Sequence, residues 1–497
     1  MRRTLPLVLP ALLLAAATPA TAGVTLIATG SINGSSAGAG VDLSGLTGKL
    51  ENGLAGNILG GLGSGLAYAG GNTFLATPDR GPNATPYNSA IDDTVSYISR
   101  FQTLTLGLTK ATSGTLPYAL ATQLTQTTLL SSPTQLTYGT GTAYNVPNGA
   151  PTQNTADTFY FTGRSDNFGP GNSGNPANAR FDPESIRVSN DGQTVFVSDE
   201  YGPYVRQFDR ATGKLVRTYA LPADLDVAHL GTATDSETGS DNTSGRVANK
   251  GMEGLAITPD GKTLVGIMQA PLIQDAKDPA TANMLRIVTI DIASGDTKEY
   301  GYQLSKGSGV SDIVAVSATK FLVDERDGKG LGDVPKGSTS AADSSDAKTK
   351  LIYQIDISNA KDITGKTGTD TTAGLVQKNT TAFLDIVAAL KAYGLKANQI
   401  PAKIEGITFG QDVLDANGNV LHTLYIANDN DFLPGVAGTN QFFVFGFTDA
   451  DLPGYVAQML GASAVPEPAS WALMVSGFGL LGAALRRDRR RVRVNFG

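Results

Sequence analysis

Three glutamates open strand-like segments in like surroundings: Glu184 in Pro183-Glu184-Ser185-Ile186, Glu253 in Met252-Glu253-Gly254-Leu255, and Glu405 in Ile404-Glu405-Gly406-Ile407. A second set of acidic and amide residues follows one hairpin later: Asp79, Asp199, Glu200, Asp324, Glu325, Asn428, Asp429 and Asp431. Carboxylates brought to one level repel one another unless protons or cations neutralise them. An oxygen-only donor set suits Ca2+ or Mg2+ rather than zinc, and the chain has no cysteine and only His229 and His422. Hard cations hold phosphate oxygens and lower the pKa of a bound water. The expected chemistry is therefore metal-assisted hydrolysis of a phosphate ester. In that reading Glu184, Glu253 and Glu405 are catalytic, and Asp79, Asp199, Glu200, Asp324, Glu325, Asp429 and Asp431 are calcium ligands. Arg80, Arg326, Lys250 and Lys403 sit beside the acids and are the expected clamps on a substrate anion. Tyr201 is the candidate donor to a leaving oxygen. The competing reading is structural: repeated Asp and Glu side chains accept backbone N–H groups at turns, Tyr201 packs, and the basic neighbours are salt-bridge partners.

These residues recur because the chain repeats. The clearest copy is 181–209, FDPESIRVSNDGQTVFVSDEYGPYVRQFD, a meander with a tight Asn190-Asp191-Gly192 reversal and carboxylates at both ends of its first hairpin. Gly251–Ile267, Ser311–Asp327, Lys403–Asp431 and Gly63–Gly81 repeat the order of small or acidic residue, strand, turn, strand and polar cluster. Repeated four-stranded units predict an all-β β-propeller, here of about six or seven blades, whose inner strands bring the acids to one mouth of the channel. Val24–Ala28 reads as a strand that closes the ring. Tyr97–Gly163 alternates apolar and polar residues and reads as one or two poorly conforming blades. Thr381–Tyr393 has helical periodicity, with Phe383, Ile386, Val387 and Leu390 on one face, and predicts one peripheral helix. Gly231–Asn249 and Gly328–Lys348 read as exposed polar insertions.

A nucleophilic triad is not expected. Gly34-Ser35-Ser36-Ala37-Gly38 matches G-x-S-x-G, but it lies in a Gly/Ser run without a strand before it or a helix after it. Two histidines leave few bases for such a triad.

Both ends carry processing signals. Residues 1–22 combine Arg2-Arg3, an apolar run from Leu5 to Ala17 and Ala20-Thr21-Ala22, which predicts a signal peptide cut before Gly23. At the other end Val465-Pro466-Glu467-Pro468 precedes an apolar stretch, Ala469–Leu485, and then Arg486, Arg487, Arg489, Arg490, Arg491 and Arg493. The stretch is near the lower length for a membrane helix, with a basic flank that stays cytoplasmic. This arrangement over 465–491 resembles the PEP-CTERM sorting signal, which implies handling by an exosortase and a final place at the cell surface, outer membrane or outside the cell. Removing both ends lowers the basic count from 38 to 30 and the acidic count from 45 to 43, so the net charge moves from −7 to −13. An acidic body argues against a nucleic-acid partner. A cysteine-free exported chain is held by burial alone, which residues 23–464 suffice to supply.

The quoted repeats, with Lys250-Gly251-Met252-Glu253-Gly254, Phe321–Gly328 and Tyr425–Phe432, resemble the phytase-like domain family described as having esterase-like activity of phytase. The resemblance covers roughly Gly61–Phe447. It implies a propeller that hydrolyses a phosphate or carboxylic ester, with kinship to calcium-dependent propeller phytases; the expected protein is a monomer and its substrate a small molecule. A second class of function fits the same residues: a non-catalytic surface or extracellular-matrix propeller that only binds.

Overall fold

Among the described residues, five sheets of four or five strands are strung along the chain, and each holds one repeat copy as its innermost hairpin. The computed structural model describes residues 23–32, 40–84, 87–88, 94–139, 149–231, 237, 242–305, 307–461 and 497. The expected signal peptide, the Gly34–Gly38 run and the sorting segment at 465–491 lie outside these residues.

Blade 1 is Gly65–Tyr68, Thr73–Thr77, Arg100–Lys110 and Tyr118–Leu129. Blade 2 is Pro183–Val188, Thr194–Asp199, Tyr204–Asp209 and Leu215–Ala220. Blade 3 is Met252–Ile257, Thr263–Met268, Met284–Asp291 and Thr297–Gln303. Blade 4 is Gly309–Ala315, Lys320–Arg326 and Lys350–Asp356, edged by the short Gln377–Lys378 and Leu384–Asp385. Blade 5 is Lys403–Phe409, Val420–Asp429 and Asn440–Phe447, and its outer strand is Thr25–Ile32 from the other end of the chain. The first strands of the blades touch in a closed ring, each meeting the next and blade 5 meeting blade 1. We call the end where these inner strands begin the front mouth and the end where they finish the rear mouth.

Among the described residues the blade number is five, not six or seven. Tyr97–Gly163 adds no blade. Its alternating residues form the long outer strands of blade 1 and a small pair, Ser131–Ser132 with Phe159–Tyr160. Period-two alternation reports a strand with one wet face and does not say whether it founds a new sheet or lengthens an old one.

Each of five apolar clusters fills one interface between neighbouring blades. Strand alternation feeds two interfaces at once. Val195 and Val197 pack toward blade 1 while Phe196, between them, packs toward blade 3. Side chains of this size each contribute about 1.5–3 kcal/mol when fully buried, and a cysteine-free chain rests on that sum. The helix is Ile386–Tyr393, shorter than expected because Leu384–Asp385 pairs with blade 4. Asp385 caps it by accepting the N–H of Ala388, and Ile386, Val387 and Leu390 are its buried face.

The channel is plugged near its middle. Arg187 Nη2 donates to Asp312 Oδ1 and Oδ2 at 2.9 Å each, to the Ile313 carbonyl at 2.8 Å and to the Ile407 carbonyl at 3.3 Å. Its Nη1 donates to the Leu66 carbonyl at 2.7 Å. Asp312 in turn accepts from Ser185 Oγ at 3.0 Å and from the N–H groups of Leu255, Ile313 and Ile407. One buried ion pair therefore bonds to the inner strands of all five blades. Equivalent positions elsewhere are small because the strands crowd the axis. A Cβ on Gly254 would meet the Asp312 Cα at 2.8 Å. We expect Gly254→Ala to lower the thermal midpoint by several degrees, since backbone must move to admit the methyl, and calorimetry would show it.

A candidate carboxylate site at the front mouth

The glutamates reach the channel through a repeated irregularity. In blade 2, Pro183 pairs with Asp199 and Ile186 with Val197, so Glu184 and Ser185 stand opposite Ser198 alone. The same extra residue appears at Glu253 in blade 3, at Ser311 in blade 4 and at Glu405-Gly406 in blade 5. A β-bulge re-aims side chains and bends its strand, and here it turns three Glu and one Ser toward the front cavity or its wall.

That cavity has a volume of about 550 Å³. Asp79, Glu184, Glu200, Glu253, Asp327, Glu405 and Asp429 line it with Arg80, Lys250, Arg326 and Lys403, so acids outnumber bases by seven to four. Gln269, Asn249 and Asn283 add polar groups, and among the described residues no aromatic or histidine side chain lines the wall. Asn249 adopts φ 56°, uncommon outside glycine, and its buried Oδ1 has no partner.

Most of the basic groups are already engaged. Arg80 Nη1 lies 2.8 Å from Asp182 Oδ2 and 3.8 Å from Glu200. Arg326 pairs with Glu405, donates through Nε to Ser311 Oγ at 2.5 Å and comes within 3.9 Å of Glu253. Lys403 bridges Asp429 at 2.9 Å and Asp431 at 2.5 Å. Glu184 is 7% exposed, lines the cavity and makes no hydrogen bond or ion pair among the described residues. Ligand oxygens of Asp182, Glu184 and Glu200 lie within 4.8 Å of one another.

Burial, followed by the charges of Glu253, Asp182, Glu200 and Asp79, holds the Glu184 carboxyl well above its ordinary range. Glu253 is likewise raised well above it, first by burial and then by Glu200 and Glu405. Burial pushes Asp182 up to about 8 against the pull of Arg80. It pushes Glu405 up to about 7 against Arg326 and Lys403. Asp429 goes the other way: burial raises it, but Lys403, the Asp431 N–H and Arg326 together hold it below its ordinary range.

A family model, phytase-like, described as "Esterase-like activity of phytase", matches residues 57–432, most of the propeller. The chain belongs to this phytase-like family. A PEP-CTERM protein-sorting motif matches residues 464–491, so the phytase-like domain is exported with a signal read by exosortase-type machinery. An uncharacterized secreted protein of Arthroderma benhamiae is 30% identical over 290 residues, covering 50% of this chain and 52% of that protein. The chain thus spans about half the length of the curated relative it matches. Among solved structures, the hydrazine synthase of Kuenenia stuttgartiensis is 13% identical over 79% of this chain and 82% of its own, with a TM-score of 0.27. A putative 6-phosphogluconolactonase of Bacteroides uniformis is 13% identical over 76% and 82%, with a TM-score of 0.27.

Of the residues singled out by sequence, the phytase-like fold brings Asp79, Arg80, Glu184, Glu200, Lys250, Glu253, Arg326, Lys403, Glu405 and Asp429 to one cavity. Six others stand elsewhere, among them Asn428, whose Oδ1 accepts the Gln441 N–H at 2.6 Å. Tyr201 is fully buried, and its hydroxyl donates to the Gly163 carbonyl at 2.8 Å rather than facing the cavity. Asp199 supports the loop behind, accepting the N–H groups of Asp182 and Tyr201. Glu325 faces the gap between blades 3 and 4, where Tyr302, Ser308 and Lys378 hold it. Asp431 is a half-buried partner of Lys403 beyond the wall. Asp324 is fully buried without a bond to either oxygen, and burial pushes it up to about 8 despite Arg326 and Lys350. Adjacent strand residues face opposite sides, so Asp324 and Glu325 were never able to share one site.

Asp182 is not in the sequence-derived set because it stands at no repeated acidic position: its counterparts two residues before Glu253 and Glu405 are Gly251 and Lys403. Its proximity to Glu184, two residues on, was the available signal.

Asp324 gives a pH dependence. The folded chain keeps its proton up to about pH 8, whereas the unfolded chain releases it near pH 4. Its contribution to stability is therefore full below pH 4 and is lost as pH rises toward 8. Asp324→Asn is expected to flatten that decline, seen as a smaller drop in urea midpoint between pH 5 and pH 8 than in the wild type.

Proposed function

We propose that the protein is an exported phosphoester hydrolase that works with a hard divalent cation, calcium by preference, held by Asp182, Glu184 and Glu200. One observation carries this reading: Glu184 lines the cavity with no hydrogen bond or ion pair among the described residues, and the charges that act on it most are those of Glu253, Asp182, Glu200 and Asp79. Burying a charge without compensation is costly, and a cation at its oxygens supplies the missing partner. The donor set is all oxygen, which fits a hard cation. An acid excess on the wall would repel a phosphate, and only a bound cation makes the cavity attractive to one.

When bound, the cation neutralises phosphate oxygens and lowers the pKa of a water beside them. The chain's own residues would do the rest. Lys250, on the rim and without an ion-pair partner among the described residues, takes substrate oxygens first. Glu405, raised to about 7, accepts the proton that water loses as it attacks phosphorus. Glu253, held well above its ordinary range first by burial and with Gln269 Nε2 donating to its Oε1 at 2.8 Å, is the acid that gives a proton to the alcohol oxygen as the P–O ester bond breaks. Arg326 joins both glutamates and orients them.

A binding propeller without chemistry remains the second reading. It is favoured by the internal ion pairs that occupy Arg80, Arg326 and Lys403. The test is hydrolysis of p-nitrophenyl phosphate, phytate and p-nitrophenyl acetate by residues 23–464, with calcium and with chelator. Calcium-dependent phosphate release, reduced at least a hundredfold in Glu253→Gln, is the expected result. No turnover of any substrate, with calcium still raising the melting temperature, would move the assignment to the binding reading.

A further inference from the structure

The chain crosses the rear mouth before it leaves the propeller. Beyond blade 5, Tyr455 stacks on Phe409 with ring centroids 4.5 Å apart and on His422 at 4.9 Å. Val456 N–H donates to the Val316 carbonyl of blade 4 at 2.8 Å, and Met459 N–H to the Pro259 carbonyl of blade 3 at 3.2 Å. Gln458 Nε2 donates to the Val188 carbonyl at 2.7 Å and to Asn190 Oδ1 at 2.8 Å, and Gly461 N–H to the Asn190 carbonyl at 2.8 Å, both in blade 2. Residues 455–461 are thus a strap across the rear ends of four blades. The sorting motif begins at residue 464.

The length of chain beyond the strap restricts how the propeller can sit. Seven residues, and so eight Cα–Cα steps, separate Gly461 from Ala469, where the apolar stretch begins. At ~3.4 Å per residue they reach at most ~27 Å. A path from Gly461, held on the inner hairpin of blade 2, to the front mouth must cross about two strand spacings outward, ~10 Å, and then the depth of a six- or seven-residue strand, ~20 Å. That exceeds the tether. The rear face also carries apolar groups: Leu414 and Val420 on the blade 5 hairpin and Val456 and Met459 on the strap are each 50–53% exposed.

We propose that the strap fixes the orientation of the membrane-held chain: the rear face lies against the bilayer and the acidic cavity opens away from it, toward soluble substrate. The partner is a lipid surface. The absence of cysteine makes the test direct. Single-cysteine variants of the full chain, Ala318→Cys at an exposed rear turn and Lys329→Cys beside the front cavity, are labelled with a fluorophore. They are then reconstituted in phosphatidylethanolamine–phosphatidylglycerol vesicles with nitroxide-labelled headgroups. At least threefold stronger quenching at position 318 than at 329 is expected, and Gln193→Cys serves as a second rear position. Equal quenching, stronger quenching at 329, or none at any position would overturn the orientation. In a Tyr455→Ala, Gln458→Ala background the difference should shrink toward equality, and a difference that persists would remove the strap from the account.

Discussion

Asp312→Ala should cost the propeller ~3–5 kcal/mol of stability, the range for breaking a buried ion pair by deleting one partner. Arg187 would be left as a buried cation, and four donors from blades 2, 3, 4 and 5 would lose their acceptor at once. Urea unfolding measures the loss. Asp312→Leu combined with Arg187→Met removes the orphaned charge and should recover part of it. An exposed pair makes the contrast: Lys329→Ala, which frees Asp333 at half-exposed positions, should change stability by less than ~0.5 kcal/mol. A small effect at Asp312 would mean that the interblade cores alone hold the ring.

The second large effect concerns the cation. Millimolar calcium should stabilise residues 23–464 by about 2.7 kcal/mol once its concentration is a hundred times the dissociation constant, read as a rise in melting temperature. Glu184→Gln should abolish that rise. The same variant without calcium should be as stable as the wild type or more so, because an uncompensated carboxylate has been removed from among four others. This pairing separates a ligand from a structural acid, whose loss would destabilise the metal-free chain and leave the calcium response intact.

The repeat was legible because each copy is an inner hairpin, the part of a blade that touches two neighbours and the axis. Blade count failed on Arg100–Lys110 and Tyr118–Leu129, whose pattern looks like any half-exposed strand. The site was legible in its glutamates, since repetition alone places Glu184, Glu253 and Glu405 at one level. It was not legible in the choice between neighbours such as Asp199 and Glu200 or Asp324 and Glu325, which depends on strand phase across a bulge. Arg187 and Asp312 stayed hidden for another reason. The plug is a single pair, and a search for recurrence passes over what occurs once.

Blade 5 joins residues 25–32 to residues 403–447. A chain threaded through a membrane from its N-terminus delivers the first of these segments long before the last. The ring therefore cannot shut until nearly the whole domain has crossed, and the earliest strand must wait with its edge unpaired. That edge stays open through the passage and is covered only when Asn440–Phe447 arrives to pair with it.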